Sequence, residues 1–128
     1  MRKFVHKFAI SLIGVEVYAS DTSPDDSDSF CTDTWRITLG MDGEFHQVMD
    51  AFLHELAEIW ATVHGCRWHD TKYHIEDSNS DALLIVMRHS QFDSMFKQIT
   101  YRMLEMLPML SQEHDSYIKS KAATKEDK

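Results

Sequence analysis

A single α+β domain, with two helices packed on one short sheet, is the fold class this sequence predicts. Three observations predict it. Period-two alternation of apolar residues runs as far as Leu39, the period lengthens to that of a helix from Glu44, and a second amphipathic helix follows a mixed segment. With 128 residues and 43% hydrophobic content, the chain can bury one core without disulfide staples.

Residues 4 to 18 are rich in Phe, Val, Ile and Leu. Phe8, Ile10 and Leu12 alternate with Ala9, Ser11 and Ile13, and Val15 and Val17 flank Glu16, which reads as a pair of strands with Gly14 placed for a bulge or bend. The same stretch has features of a secretory leader: basic Arg2, Lys3 and Lys7, an apolar run from Phe8 to Val15, then small Ala19. The run is short, contains Ser11 and ends at Glu16, so strands are the preferred reading. Residues 20 to 33 are polar and acidic and read as a solvated hairpin loop; Asp25, Asp26 and Asp28 lack the spacing of a calcium loop. Thr34 to Leu39 is another strand, ended by Gly40 and Gly43.

From Glu44 onward, Val48, Phe52, Leu56, Ile59, Trp60 and Val63 share one side of a helical wheel, and Gly65 is a natural stop. Residues 65 to 81 are mixed, and Ala82 to Met87 is a short apolar run of strand type. Ser90 and Asp93 resemble a capping box that starts the second helix. Phe92, Met95, Phe96, Ile99, Met103, Met106 and Leu107 keep helical spacing until Pro108 disrupts it. Residues 1 to 110 thus form the domain, and the polar residues 111 to 128 read as a flexible tail. The methionines of the second helix read as adaptable core filler, or as a surface for self-association into a homodimer.

Thirteen basic residues against twenty-one acidic ones leave a formal charge of -8, which argues against nucleic acid as partner because a phosphate backbone selects Lys and Arg clusters. It permits a protein or peptide partner. The two cysteines, Cys31 and Cys66, have no CxxC spacing, and a reduced cytoplasmic protein is the simpler inference. No apolar run approaches the roughly 20 residues that span a bilayer. Eight histidines are an unusual number for this length and raise the prospect of metal chemistry.

His54 and Glu58 lie one helical turn apart, about 40° from each other around the wheel and away from the apolar stripe. An imidazole and a carboxylate so placed can share a divalent cation, and zinc accepts both donors. Glu55 follows His54 directly, the position of the general base in HExxH enzymes, where the metal acidifies a water and the glutamate takes its proton. Polar residues on the polar face of an amphipathic helix also need no function at all. A further ligand is required, and His89, His64, His69 and His74 compete for that place. His89, just before the second helix, is favoured, then His64. A separate structural site from His64, Cys66 and His69 matches no standard zinc spacing.

The succession of a strand, a polar excursion, a second strand from Trp35 to Leu39, and then the helix around Leu53, His54, Glu55, Leu56 and Glu58 resembles small zincin-like proteins. These are compact metallopeptidase-like domains, several of them from bacteriophages and prophages. The resemblance spans residues 4 to 107, and its specific part is the His-Glu-x-x-Glu helix with one later histidine. It implies His54, Glu58 and His89 as metal ligands, Glu55 as general base and zinc as the metal. The departure is Glu58, where HExxH enzymes carry histidine. A second anionic ligand weakens Lewis acidity, so the resemblance supports metal binding more directly than peptidase activity. Two functions follow: a metal-dependent hydrolase, or a non-catalytic acidic interaction protein of the phage-inhibitor kind in a host cytoplasm. A DNA mimic ranks last, because the acidic residues are dispersed.

Overall fold

The computed structural model describes residues 2–65, 67–69, 83–85 and 87–126. The chain forms β1 (Arg2–Ile10), β2 (Ile13–Ser20), a 3-10 turn (Pro24–Asp26), β3 (Asp28–Cys31), β4 (Trp35–Gly40), α1 (Phe45–Val63), β5 (Arg67–His69), β6 (Leu83–Ile85) and α2 (His89–Glu126). Among the described residues it is an α+β arrangement, with a four-stranded mixed sheet in the order β1-β2-β4-β3 and two helices, plus a separate β5–β6 pair. Readings that involve Cys66 and His74 lie outside the described residues.

The first two strands are a tight hairpin in which Ile10 pairs with Ile13. Ser11 and Leu12 close it with φ of 47° and 72°, the left-handed pair of a type I′ turn, whose twist matches that of the strands. The bend therefore falls at Ser11–Leu12 and not at Gly14, and the irregularity in register lies between Phe4 and His6.

Residues 20 to 33 are more than a solvated hairpin loop, because β2 and β4 run parallel, with Val17 beside Ile37 and Ala19 beside Leu39. Parallel neighbours cannot be joined by a hairpin. The chain leaves Ser20, crosses the end of β4 through the 3-10 turn, and returns as β3 on the outer edge of β4. The sequence hid this strand because an exposed edge strand keeps a polar composition. Ser27 fixes the crossing, its hydroxyl accepting a bond of 2.9 Å from the Gly40 amide.

Val15, Val17, Ile37 and Leu39 point to one face and are fully buried there against Val48, Phe52, Leu56 and Ile59 of α1 and Ile99, Met106 and Leu110 of α2. Alternation by two on the strands and by three or four on the helices thus meets in a single core. α1 lies over β4 and β3, while α2 lies over β1. The Glu44 amide donates to Gln47 Oε1 at 2.9 Å at the start of α1, and Gly65, with φ of 68°, ends it as expected.

α2 departs from the sequence expectation at both ends. It starts at His89, one residue before Ser90, with the Arg88 amide donating to Gln91 Oε1 at 2.8 Å. It then runs through Pro108 to Glu126, so residues 111–126 are helix and not a frayed tail. Proline deprives the Leu104 carbonyl of its helical donor, but both residues are exposed, so water can satisfy that carbonyl. Beyond Leu110 the helix is held by Tyr117, which packs against the core, and by polar anchors that carry no hydrophobic signature. His114 Nε2 lies 2.6 Å from the Gly43 carbonyl, Lys3 pairs with Glu113 at 3.0 Å, and Lys121 pairs with Asp42. Lys121 in turn holds the Asp42 carboxyl below its usual range. Among the described residues, no helix is long and apolar enough to cross a membrane.

Candidate metal centre

α1 turns its apolar stripe into the core, which leaves His46, Asp50, His54 and Glu58 on a neighbouring ridge at successive four-residue intervals. Between this ridge and the crossing segment runs a groove of about 490 Å3, lined among others by Asp25, Ser27, His46, Asp50, His54 and Glu55. Its outer wall exists only because the chain crosses from β2 to β3. The tight packing of that wall is set by Gly40 and Gly43, where a side chain would run into Ser23 and Pro24.

At the C-terminal end of the groove, one donor atom from each of His54, Glu55 and Glu58 lies within 4.8 Å of the others. His54 Nε2 is 3.5 Å from Glu58 Oε1. His54 is exposed, Glu58 half-buried and Glu55 buried, with 6% of its surface accessible. The cluster is therefore a rim with one carboxylate sunk beneath it. Adjacent helix positions are about 100° apart, so Glu55 can join its neighbour's site only by reaching up from the core side. The underside of β3 holds it there, with the Ser29 hydroxyl donating to its carboxylate.

Burial pushes the Glu55 carboxyl above its ordinary value, and the nearby charges of Glu58 and Asp28 push the same way, against the Ser29 bond and His54. The consequence for stability has a definite sign. A carboxyl whose folded pKa exceeds its unfolded one contributes stability at low pH that is lost as the pH rises through the folded value. Metal-free Glu55→Gln is accordingly expected to melt above the parent at pH 7. The gap should close on acidification towards pH 4. Equal melting differences at both pH values, by calorimetry, would show that Glu55 is not held in a carboxylate-averse setting.

Of the proposed ligands, the structure brings together His54 and Glu58, and it adds Glu55 to them. His89 is not in the group; it is exposed, and its Nε2 lies 3.4 Å from Asp93 Oδ2 on its own helix. His64, the second choice, is engaged elsewhere. It stacks on Trp60 with ring centres 3.9 Å apart, its Nδ1 is 2.9 Å from the Trp60 carbonyl, and its Nε2 is 3.0 Å from Ser11 Oγ. α1 continues without a break past Ala61, which carries His64 round to the hairpin side. Ser29 and the groove residues His46 and Asp50 are the part that sequence reasoning missed. The regular four-residue spacing from His46 to Glu58 was the available signal for the ridge, whereas nothing marked Ser29 apart from its neighbours. Comparison of the chain with protein-family models, with curated proteins and with solved structures returns no match, so the geometry of this helix and its groove stands alone.

Proposed function

We propose that the chain is a divalent-metal-binding, zincin-like domain, with zinc the best-fitting ion and the His54/Glu55/Glu58 end of the α1 groove as its site. One observation carries the reading: an imidazole and two carboxylates from a single helix offer donor atoms within 4.8 Å of one another. Nitrogen and oxygen donors on a rigid element are a donor set that zinc accepts, and an exposed rim leaves open positions for water or substrate. Bound there, zinc would supply Lewis acidity to a carbonyl or a water in the groove. In that reading His54 and Glu58 hold the ion, and Glu55 has two alternative duties. It either completes the ligand set or takes up a proton at its carboxylate, a task suited to a group whose pKa burial has raised. His89 has no part in this set.

Titration calorimetry of the chelator-stripped protein with zinc is expected to give one site. His54→Ala and Glu58→Ala each remove a ligand and should each weaken it by more than the about 10- to 100-fold that loss of a ligand's hydrogen-bonding support costs. Glu55→Gln separates the two duties. Retained zinc with lost hydrolysis of a peptide library marks a base, whereas lost zinc marks a ligand. Failure of the parent to take up zinc, or unaltered uptake by the double variant His54→Ala/Glu58→Ala, removes the proposal. A second reading, a non-catalytic interaction protein, draws on the exposed apolar residues of α2, such as Leu104 at 67%. Under that reading the chain's biological effect survives in variants that no longer bind zinc.

A further inference from the structure

α2 packs on the core along one side only. Its inner side buries Ile99, Met106 and Leu110, while the opposite side leaves Tyr101 66%, Leu104 67% and Leu107 45% exposed. The charges flanking this apolar middle have an order. Asp93 and Lys97 precede it, and Asp115 and Lys119 follow it, all four exposed. Read from either end the series alternates in sign, and reversing it turns every acid into a base. Two copies laid antiparallel about the level of Met106 therefore set Lys97 against Asp115 and Asp93 against Lys119, with Leu104 meeting Pro108. A parallel pair would set like against like. Lys97 and Asp115 are also separated by about 18 residues, five full turns, so they project from the same side of the helix. A two-fold axis demands that of two residues that meet across it.

We propose that this face of α2 is the contact between two antiparallel copies of the chain. The charge order argues for a second copy over a foreign helix, because being its own complement on reversal is a property that only self-pairing uses. Lys97, Asp115 and Lys119 have no ion-pair partner among the described residues of their own chain, so they are available for it. The four charges sum to zero, so these groups add no net repulsion to the meeting of two chains of net charge -8. A hollow lined by Phe96, Lys97, Thr100, Tyr101 and Leu104 lies where the partner's Pro108 and Ser111 would sit. This inference does not rest on the metal site, which is on α1.

Sedimentation of the full chain over micromolar to sub-millimolar concentrations, with reductant present because Cys31 is exposed and free, is expected to show a reversible dimer. Leu104→Arg should abolish it while leaving the circular dichroism spectrum unaltered and the melting temperature equal to the parent's at concentrations where the parent is monomeric. Arginine makes the chain less acidic, so dissociation could not be blamed on added repulsion. Lys97→Asp and Asp115→Lys should each weaken the dimer about tenfold or more, since the symmetry repeats each pair twice. The combined Lys97→Asp/Asp115→Lys variant should return to near the parental affinity, a rescue that no merely structural role of these exposed residues would give. A monomer at every concentration overturns the proposal. So does a dimer indifferent to Leu104→Arg, or a combined variant no tighter than either single one.

Discussion

Gly40→Ala is expected to cost about 3 kcal/mol or more, enough to leave the chain largely unfolded if its stability is at the low end of ordinary domains. A methyl group there would sit 2.1 Å from the Ser23 carbonyl oxygen, 2.4 Å from the Ser23 carbonyl carbon and 2.5 Å from the Thr22 carbonyl oxygen. All three are backbone atoms, and none can swing away as a side chain could. The segment is also tied from both sides: the Asp42 amide donates to the Thr22 carbonyl at 2.9 Å and the Asp26 amide to the Ser23 carbonyl at 2.9 Å. Relief would require lifting the whole crossing off the end of β4, which breaks the Asp42–Thr22 and Gly40–Ser27 bonds, while the Asp26–Ser23 bond inside the turn resists local deformation. Gly65→Ala is the control. Among the described residues nothing lies within 4 Å of its added methyl, and the left-handed backbone, φ of 68°, opposes it, at about 1 kcal/mol. Urea denaturation of the two variants side by side checks the ordering. A Gly40→Ala penalty no larger than that of Gly65→Ala would mean that the crossing does not pack against β4 as described.

The same crossing shows where sequence reading ran out. The alternation of Val15, Val17, Ile37 and Leu39 and the helical stripe of Phe52, Leu56, Ile59 and Trp60 were legible because burial on one face imposes a period. Strand order carries no such mark: nothing in residues 20 to 33 distinguishes a hairpin loop from a crossover that deposits an edge strand. The far half of α2 was missed for a related reason. Its anchors to Asp42, Gly43 and Lys3 are hydrogen bonds and ion pairs, and the one aromatic that packs against the core there, Tyr117, is too little to stand out from the composition of a free tail. At the candidate site, the i, i+4 relation of His54 and Glu58 could be read directly. The depth of Glu55 could not, because it depends on β3 lying over that turn of α1. The distant histidines were beyond reach for the same reason: His64 and His89 have suitable chemistry and sequence position, and only three-dimensional placement takes His64 to Trp60 and Ser11 and leaves His89 beside Asp93.

Trp60→Ala is expected to remove about 3–5 kcal/mol, the range for deleting a buried large aromatic. The indole is 1% exposed and is the largest of the fully buried side chains among the described residues. It also joins the two helices, because its Nε1 donates to Gln98 Oε1 on α2 at 3.1 Å, while its face carries the His64 ring that caps α1. Truncation to alanine would therefore open a void, free Gln98 and unseat His64 together. Trp60→Phe divides these contributions. It keeps most of the apolar contact and loses the bond to Gln98, which is exposed enough to turn to water, so its cost should stay near about 1–2 kcal/mol. Denaturant midpoints of the two variants give the comparison, with an unchanged slope required for either number to count as a stability. Trp60 lies on the core side of α1 and His54 on its exposed side, so zinc affinity should be the same in Trp60→Phe as in the parent. A penalty below about 1.5 kcal/mol for Trp60→Ala would show that α2 is held to α1 by something other than this indole.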